Sequence, residues 1–150
     1  MIDPITRTIT VTKAPEDAFR VFTAEMGSWW PLDVHGRAED GQKTERLVFE
    51  EAPGGRIYEV FSDGTEGLWG TITAWEPPRR LVIDWKPNDE DRPPTEVEVT
   101  FEALETGGTR VTLEHRGWDV LGPELGARGR ASYASGWPLV FDDRFAAAAG

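Results

Sequence analysis

The sequence predicts an α+β fold in which a curved antiparallel sheet of about seven strands wraps around one long C-terminal helix. From residue 45 to residue 116 polar and apolar residues alternate, and short segments rich in glycine and proline separate the alternating stretches. Residues 122–149 instead repeat large apolar side chains at spacings of three and four, which is the pattern of one helix face. Strands joined by hairpins form a strongly curved sheet, and only this last segment is long enough to cover its concave face.

The C-terminal helix is expected to begin at Pro123, because proline fits a first helical turn, where its missing N–H is not needed. Pro138 stands in the interior, removes the hydrogen bond to the carbonyl of Ala134 and predicts a bend at residues 136–138. A bent helix with an aromatic stripe covers a sheet imperfectly, so we expect a cavity between helix and sheet. The stripe consists of Tyr133, Trp137, Val140, Phe141, Phe145 and Ala148.

The N-terminal part predicts a strand at residues 5–12 followed by two short helices. Pro15 opens the first helix, and Gly27 is expected to end it. The second helix or turn carries the adjacent Trp29 and Trp30. Because neighbouring side chains point in different directions, one tryptophan is expected to anchor this segment while the other reaches solvent or a pocket.

Six further strands are predicted, each joined to the next by a short turn, apart from an acidic, proline-rich loop at residues 87–94. Asp63 and Gly64 form a strong hairpin signal, since glycine accepts the positive φ of tight turns. Gly70, inside its strand, indicates a bulge or a close approach by another group. The strands begin at residue 45 and continue at 56–61, 66–75, 80–86, 95–104 and 109–115.

The composition excludes several classes of function. The formal net charge of −11 opposes binding to nucleic acid and to an anionic membrane. The absence of cysteine excludes disulfides, thiol catalysis and cysteine-bound metals. We find no secretion signal and no stretch long enough to span a bilayer, so a single cytoplasmic domain over residues 1–150 without membrane insertion is expected.

The order of elements and a set of short motifs resemble the SRPBCC superfamily, which includes the START, polyketide-cyclase and birch-pollen-allergen-like proteins. The nearer resemblance is to its branch of homologues of the activator of heat-shock-protein-90 ATPase. The resemblance implies a helix-grip fold with a hydrophobic ligand between sheet and helix, and it carries no universal catalytic motif. The matching positions are Ala14-Pro15, Ala18-Phe19, Trp29-Trp30-Pro31, Gly54-Gly55-Arg56, Asp63-Gly64, Trp69-Gly70, residues 76–81, Trp85, Gly117-Trp118 and Gly136-Trp137.

Two residues are candidates for acid–base chemistry. His115 shares the apolar face of the last strand with Val111 and Leu113, so it is either a buried imidazole hydrogen-bonded at the sheet end, or a ligand contact or general base facing the cavity. Tyr133 is the second candidate, because a buried hydroxyl needs a partner that a ligand can provide. The sequence contains no G-x-S-x-G elbow and no phosphate-binding loop.

We expect neither a metal nor a cofactor. His35 lies in a polar segment, residues 33–44, that predicts an exposed loop. Neither His35 nor His115 has a carboxylate or a second histidine at ligand spacing.

Three hypotheses for the function follow. The first is non-covalent binding of a small hydrophobic or aromatic molecule in the cavity, and the second is a cyclase, dehydratase or hydrolase that uses the same cavity. The third is a co-chaperone-like interaction module, and a protein partner or homodimer therefore stays open. The predicted ligand-binding residues are Trp30, Leu47, Phe49, Trp69, Trp85, His115, Tyr133, Trp137 and Phe141.

Overall fold

The computed structural model describes residues 1–39, 41–87 and 92–150. Within them lies a seven-stranded antiparallel sheet of order β1-β7-β6-β5-β4-β3-β2. Strands β2 to β6 each pair with the strand that follows in the chain, and β1 pairs with β7. This confirms the predicted α+β class with a curved antiparallel sheet and a long C-terminal helix. The strands are β1 Ile5–Val11, β2 Thr44–Phe49, β3 Arg56–Phe61, β4 Glu66–Glu76, β5 Arg80–Trp85, β6 Thr95–Ala103 and β7 Thr109–Arg116.

Three short helices follow β1, where the sequence predicted two. Helix α1 ends at Phe22 rather than at Gly27, because the hydroxyl and the backbone N–H of Thr23 both donate to the carbonyl of Phe19 and close the last turn. The third helix falls in the segment predicted as a loop. Its turn closes by a 2.8 Å bond from the backbone N–H of His35 to the carbonyl of Pro31. The helices are α1 Pro15–Phe22, α2 Met26–Trp29 and α3 Leu32–His35.

The C-terminal helical segment occupies the predicted position, but its middle is π-helical. After a 3₁₀ turn at Trp118–Leu121, helix α4 runs over Pro123–Trp137, a π-helix over Pro138–Phe145 and helix α5 over Ala146–Ala149. Pro138 has no N–H to donate, so the regular α-helical pattern cannot continue through it. From Pro138 onward the helix therefore continues with the wider turns of a π-helix, a form that occurs where the α-helical hydrogen-bond pattern is interrupted.

The half of the core beneath the π-helix is filled with phenylalanine rings. Phe22 contacts Phe145 with ring centroids 5.2 Å apart, and Phe145 stacks on Phe141 at 5.6 Å. Phe19 meets Phe101 of β6 at 5.1 Å. All five side chains are buried, so this half of the core is held together by aromatic packing.

The outer face of the sheet is polar, as the alternation in β6 predicted. Glu98 accepts hydrogen bonds from Arg80 and Arg116, and Glu96 also pairs with Arg116. Burial raises the pKa of Glu98, but the two guanidinium groups outweigh it and hold the pKa below its usual value. The acidic run at residues 89–91 lies outside the described residues.

Gly70 explains how β4 and β5 approach each other. A Cβ at this position would collide with the carbonyl oxygen of Asp84, so only glycine fits, as the sequence indicated. This close approach occurs where Gly70 pairs with Trp85 across the two strands.

Among the described helices, none is long and apolar enough to cross a membrane.

Candidate functional site

A cavity of about 210 Å³ opens between the sheet and the C-terminal end of α4. Strands β4 and β5 supply its floor, α4 and the first residues of the π-helix its roof, and the α2–α3 segment one side. It is smaller than the roughly 300–1,000 Å³ of typical ligand pockets, so it suits a small molecule. The lining residues are Trp30, His35, Trp69, Trp85, Pro87, Ser132, Tyr133, Gly136, Trp137 and Val140.

Four tryptophans form most of the wall. Trp30 is the common neighbour, with its ring 4.7 Å from Trp69 and 5.9 Å from both Trp85 and Trp137. Trp85 also contacts Trp69 at 5.8 Å and Trp137 at 5.9 Å. Each of the four is at most 8% exposed, so the rings hold one another in place and present an apolar, aromatic surface to the cavity.

The indole N–H groups of these tryptophans are all used inside the protein. Trp30 donates to the carbonyl of His35 at 3.2 Å, and Trp69 donates to Oε1 of Glu59 at 2.8 Å. Trp85 donates to the hydroxyl of Tyr133 at 3.0 Å, and Trp137 donates to Nδ1 of His115 at 3.1 Å. A molecule in the cavity therefore meets the rings of the tryptophans but not their hydrogen-bond donors.

Small residues on α4 leave the space that the cavity occupies. Ser132, Gly136 and Val140 follow one another at intervals of four, so they form a row beside the row of Tyr133 and Trp137. A Cβ added at Gly136 would lie 3.5 Å from the ring of His35, an ordinary contact distance. A longer side chain at this position would project into the cavity.

His115 lies behind the wall and is fully buried. Because an indole nitrogen is only a donor, the bond from Trp137 requires Nδ1 of His115 to be the acceptor. Nε2 then carries the proton and donates to the hydroxyl of Thr95 at 2.7 Å, and that hydroxyl in turn donates to the carbonyl of Trp85 at 3.2 Å. Burial lowers the pKa of His115 to about 3, so the imidazole is neutral and links two tryptophans of the cavity wall.

Tyr133 is a partly buried residue of the wall that carries a hydroxyl group. Burial raises the pKa of its hydroxyl, while the bond from Trp85 and the positive charge of Arg92 act in the opposite direction. The hydroxyl therefore stays protonated at neutral pH. Its oxygen accepts from Trp85, and its proton has no acceptor among the residues that the structure describes.

Glu59, which was not predicted from the sequence as a site residue, anchors one side of the cavity. Its carboxylate is fully buried and accepts from Trp69, from the backbone N–H of Arg37 at 2.6 Å and from the hydroxyl of Thr44. These bonds fasten the chain after α3 to the sheet, beside the cavity wall. The alternation of Ile57, Glu59 and Phe61 in β3 was the signal that would have placed Glu59 on the inner face.

The structure brings together five of the nine residues predicted to bind a ligand, namely Trp30, Trp69, Trp85, Tyr133 and Trp137. The other four do not line this cavity. Phe141 packs on Phe145, Phe49 on Trp75 with centroids 6.2 Å apart, and Leu47 against Gly27, while His115 lies behind Trp137. His35 is exposed, as predicted, yet it lines the cavity mouth because α3 turns it toward Gly136.

In the described part of the chain no three His, Asp or Glu side chains cluster as metal ligands do. The groups that line the site are aromatic rings, the hydroxyl of the partly buried Tyr133 and, at the mouth, the exposed His35 and Ser132.

A long helix over a curved sheet with a cavity between them defines a helix-grip protein. Residues 13–150 match the family model of the Activator of Hsp90 ATPase homolog 1-like proteins, and the chain belongs to this family. The match confirms the resemblance drawn from the sequence. A search of the curated proteins found no significant match.

Solved structures agree with this assignment. The chain is 34% identical to an anthrahydroquino-gamma-pyrone synthase, Txn09, over 97% of this chain and 96% of that one, with a TM-score of 0.62. It is 29% identical to the self-sacrificing resistance protein CalC of Micromonospora echinospora, with coverage of 97% and 92% and a TM-score of 0.73. The Aha1 dimer of Colwellia psychrerythraea, at 18% identity, coverage of 93% and 96% and a TM-score of 0.59, shares the fold.

Proposed function

We propose that this protein binds a small aromatic molecule non-covalently in the cavity between β4, β5 and α4. The observation that carries the proposal is the set of four tryptophans, joined by ring contacts through Trp30 and Trp85, whose N–H groups are all used inside the protein. A planar ring gains stacking and edge-to-face contacts with such a wall, and it does not need the donors.

Packing alone is a weaker explanation of this arrangement. A core gains most from complete filling, as in the phenylalanine-rich half beneath the π-helix. Around Trp30 the chain instead combines large rings with Ser132 and Gly136, and space remains. Empty space lined by aromatic rings costs dispersion contacts, which a bound ring restores.

Gly136→Leu tests the proposal, because its side chain would project into the cavity without changing the sheet. We expect 2-acetylnaphthalene to quench the tryptophan fluorescence of the wild-type protein saturably at micromolar concentration. Gly136→Leu should weaken this binding at least about tenfold, while Ser135→Leu, an exposed position one residue away, should bind like the wild type. Equal binding by both variants, or saturation by no compound in a panel of flat aromatic molecules, would contradict the proposal.

Catalysis in the same cavity is the second candidate, and the 34% identity to a synthase over nearly the whole of both chains favours it. Of the two acid–base candidates, Tyr133 lines the cavity and keeps a proton to donate, whereas His115 has both nitrogens engaged behind the wall. A catalytic cavity in which Tyr133 donates to the carbonyl oxygen while water removes a methyl proton would accelerate deuterium exchange of the acetyl methyl protons of 2-acetylnaphthalene in deuterated water. Tyr133→Phe would abolish the acceleration, whereas a binding protein leaves the exchange rate unchanged.

A co-chaperone-like role has less support. The large exposed apolar side chains are few, and a binding site for another protein requires such side chains to form one contiguous patch. They are Met1, Val34, Leu68, Val120 and Leu125. The likeness to the Aha1 dimer is at 18% identity and concerns the fold.

A further inference from the structure

We infer that the ligand carries a ring-bound oxygen acceptor, such as a ketone carbonyl or a phenolate, and that this oxygen accepts a hydrogen bond from the hydroxyl of Tyr133. The inference rests on the proposed function and names the class of ligand and the residue that selects it.

The first step is a census of the donors around the cavity. The indole N–H groups of the four tryptophans all donate to protein acceptors. Pro87, Gly136 and Val140 have no polar side-chain group. His35 and Ser132 are polar but exposed, so water competes for both. Tyr133 is the lining residue whose donor belongs to a partly buried side chain and has no acceptor among the described residues.

The second step concerns the direction in which the hydroxyl of Tyr133 can donate its hydrogen bond. The N–H of Trp85 occupies one lone pair of the Tyr133 oxygen, over 3.0 Å, and thereby restricts rotation of the hydroxyl proton to the remaining directions. Trp85 is itself held by the bond from Thr95 to its carbonyl, and Thr95 is held by His115. The donor is therefore preorganised, and a ligand oxygen that meets it loses little entropy.

The third step is the cost of leaving this donor unpaired. A hydrocarbon ring of the same shape would displace water from the hydroxyl and return no hydrogen bond. A site built to donate to a ligand rejects the analogue that lacks the acceptor. The raised pKa of Tyr133 keeps the donor present throughout the physiological range of pH.

A matched pair of probes tests the inference, namely 2-acetylnaphthalene and 2-ethylnaphthalene, which differ by a carbonyl oxygen in place of two hydrogens. Dissociation constants are measured for the wild-type protein, for Tyr133→Phe and for Tyr58→Phe. Tyr58 is the other tyrosine of the chain and lies on the outer face of the sheet, against Arg56. Comparing ratios of the two constants cancels the difference in hydrophobicity between the probes.

We expect Tyr133→Phe to shift this ratio by about fivefold to tenfold in favour of the hydrocarbon, and Tyr58→Phe to leave it unchanged. An unchanged ratio in Tyr133→Phe, with both probes binding, would overturn this inference and leave the proposed function intact. Binding of neither probe to the wild type would overturn both.

The infrared carbonyl band of 2-acetylnaphthalene bound to the wild-type protein gives an independent readout that needs no variant. A band shifted to lower frequency than in hydrocarbon solvent is expected for a hydrogen-bonded carbonyl. A band at the hydrocarbon frequency would overturn the inference even if Tyr133→Phe failed to fold.

Discussion

The indole N–H of Trp137 donates to Nδ1 of His115, and this one bond fixes the proton of a buried histidine on the other nitrogen. Through Nε2 the same ring reaches Thr95, and through Thr95 it reaches the backbone of Trp85. The histidine therefore connects the helix side of the cavity with the sheet side, and we expect its role to be structural.

His115→Gln should lower the free energy of unfolding by about 1–3 kcal/mol, because glutamine cannot satisfy Trp137 and Thr95 in the same geometry. Urea denaturation measures the loss. His35→Gln, at the other, exposed histidine, serves as the control and should stay within about 0.5 kcal/mol of the wild type. Unchanged stability of His115→Gln would show that the bridge contributes nothing to folding.

The free energy of unfolding should fall as the pH is lowered below about 6.5. In the unfolded chain His115 binds a proton near that pH, whereas in the folded protein its pKa is about 3 and it stays neutral. The contribution is fully present above pH 6.5 and is lost between about pH 6.5 and pH 3. The limiting slope is about 1.4 kcal/mol per pH unit for one proton. The difference between the wild type and His115→Gln, measured by denaturation from pH 7 to pH 4, isolates this effect from the carboxylates, and a constant difference would contradict it.

Trp137→Ala should cost about 3–5 kcal/mol of stability and weaken ligand binding, since the ring is buried where helix and sheet meet. Thermal and urea denaturation give the first quantity, and fluorescence titration gives the second. Trp75→Ala provides a comparison, because Trp75 is half-buried and does not line the cavity, so it should cost less and leave binding unaltered. An unchanged melting temperature of Trp137→Ala would mean that this helix face is not part of the core.

Glu59→Leu should destabilise the protein by more than about 1–3 kcal/mol, the usual cost of an unpaired buried polar group, because it leaves the donors of Trp69, Arg37 and Thr44 without their acceptor. It should also increase hydrogen exchange at the amide of Arg37. Glu66→Leu, at an exposed position of β4, is the control. Equal stability of the two variants would show that the buried carboxylate does not hold this segment.

The sequence was sufficient to predict the seven strands and the aromatic helix, because their periodic patterns are local properties of the chain. Part of the inner wall could be predicted from the same patterns, since strand alternation placed Trp85 with Leu81 and Ile83, and helical spacing aligned Tyr133 with Trp137. The position of Trp69 could not, because Gly70 left the strand register around it open. The site's edges depended on tertiary contacts that no local pattern records. His35 reaches the mouth through the turn of α3, and the anchoring by Glu59 joins segments 22 residues apart. Pro138 likewise predicted an interruption of the helix, but no local pattern specified that the helix would continue as a π-helix.

The indole N–H resonances of the seven tryptophans test the central claim most directly, because each tryptophan reports its own position. Titration with 2-acetylnaphthalene should shift the resonances of Trp30, Trp69, Trp85 and Trp137, which line the cavity. The resonances of Trp29, Trp75 and Trp118, which do not line it, should stay in place. Shifts confined to these last three, or no saturable shift in any of the seven, would contradict the account of an aromatic binding cavity.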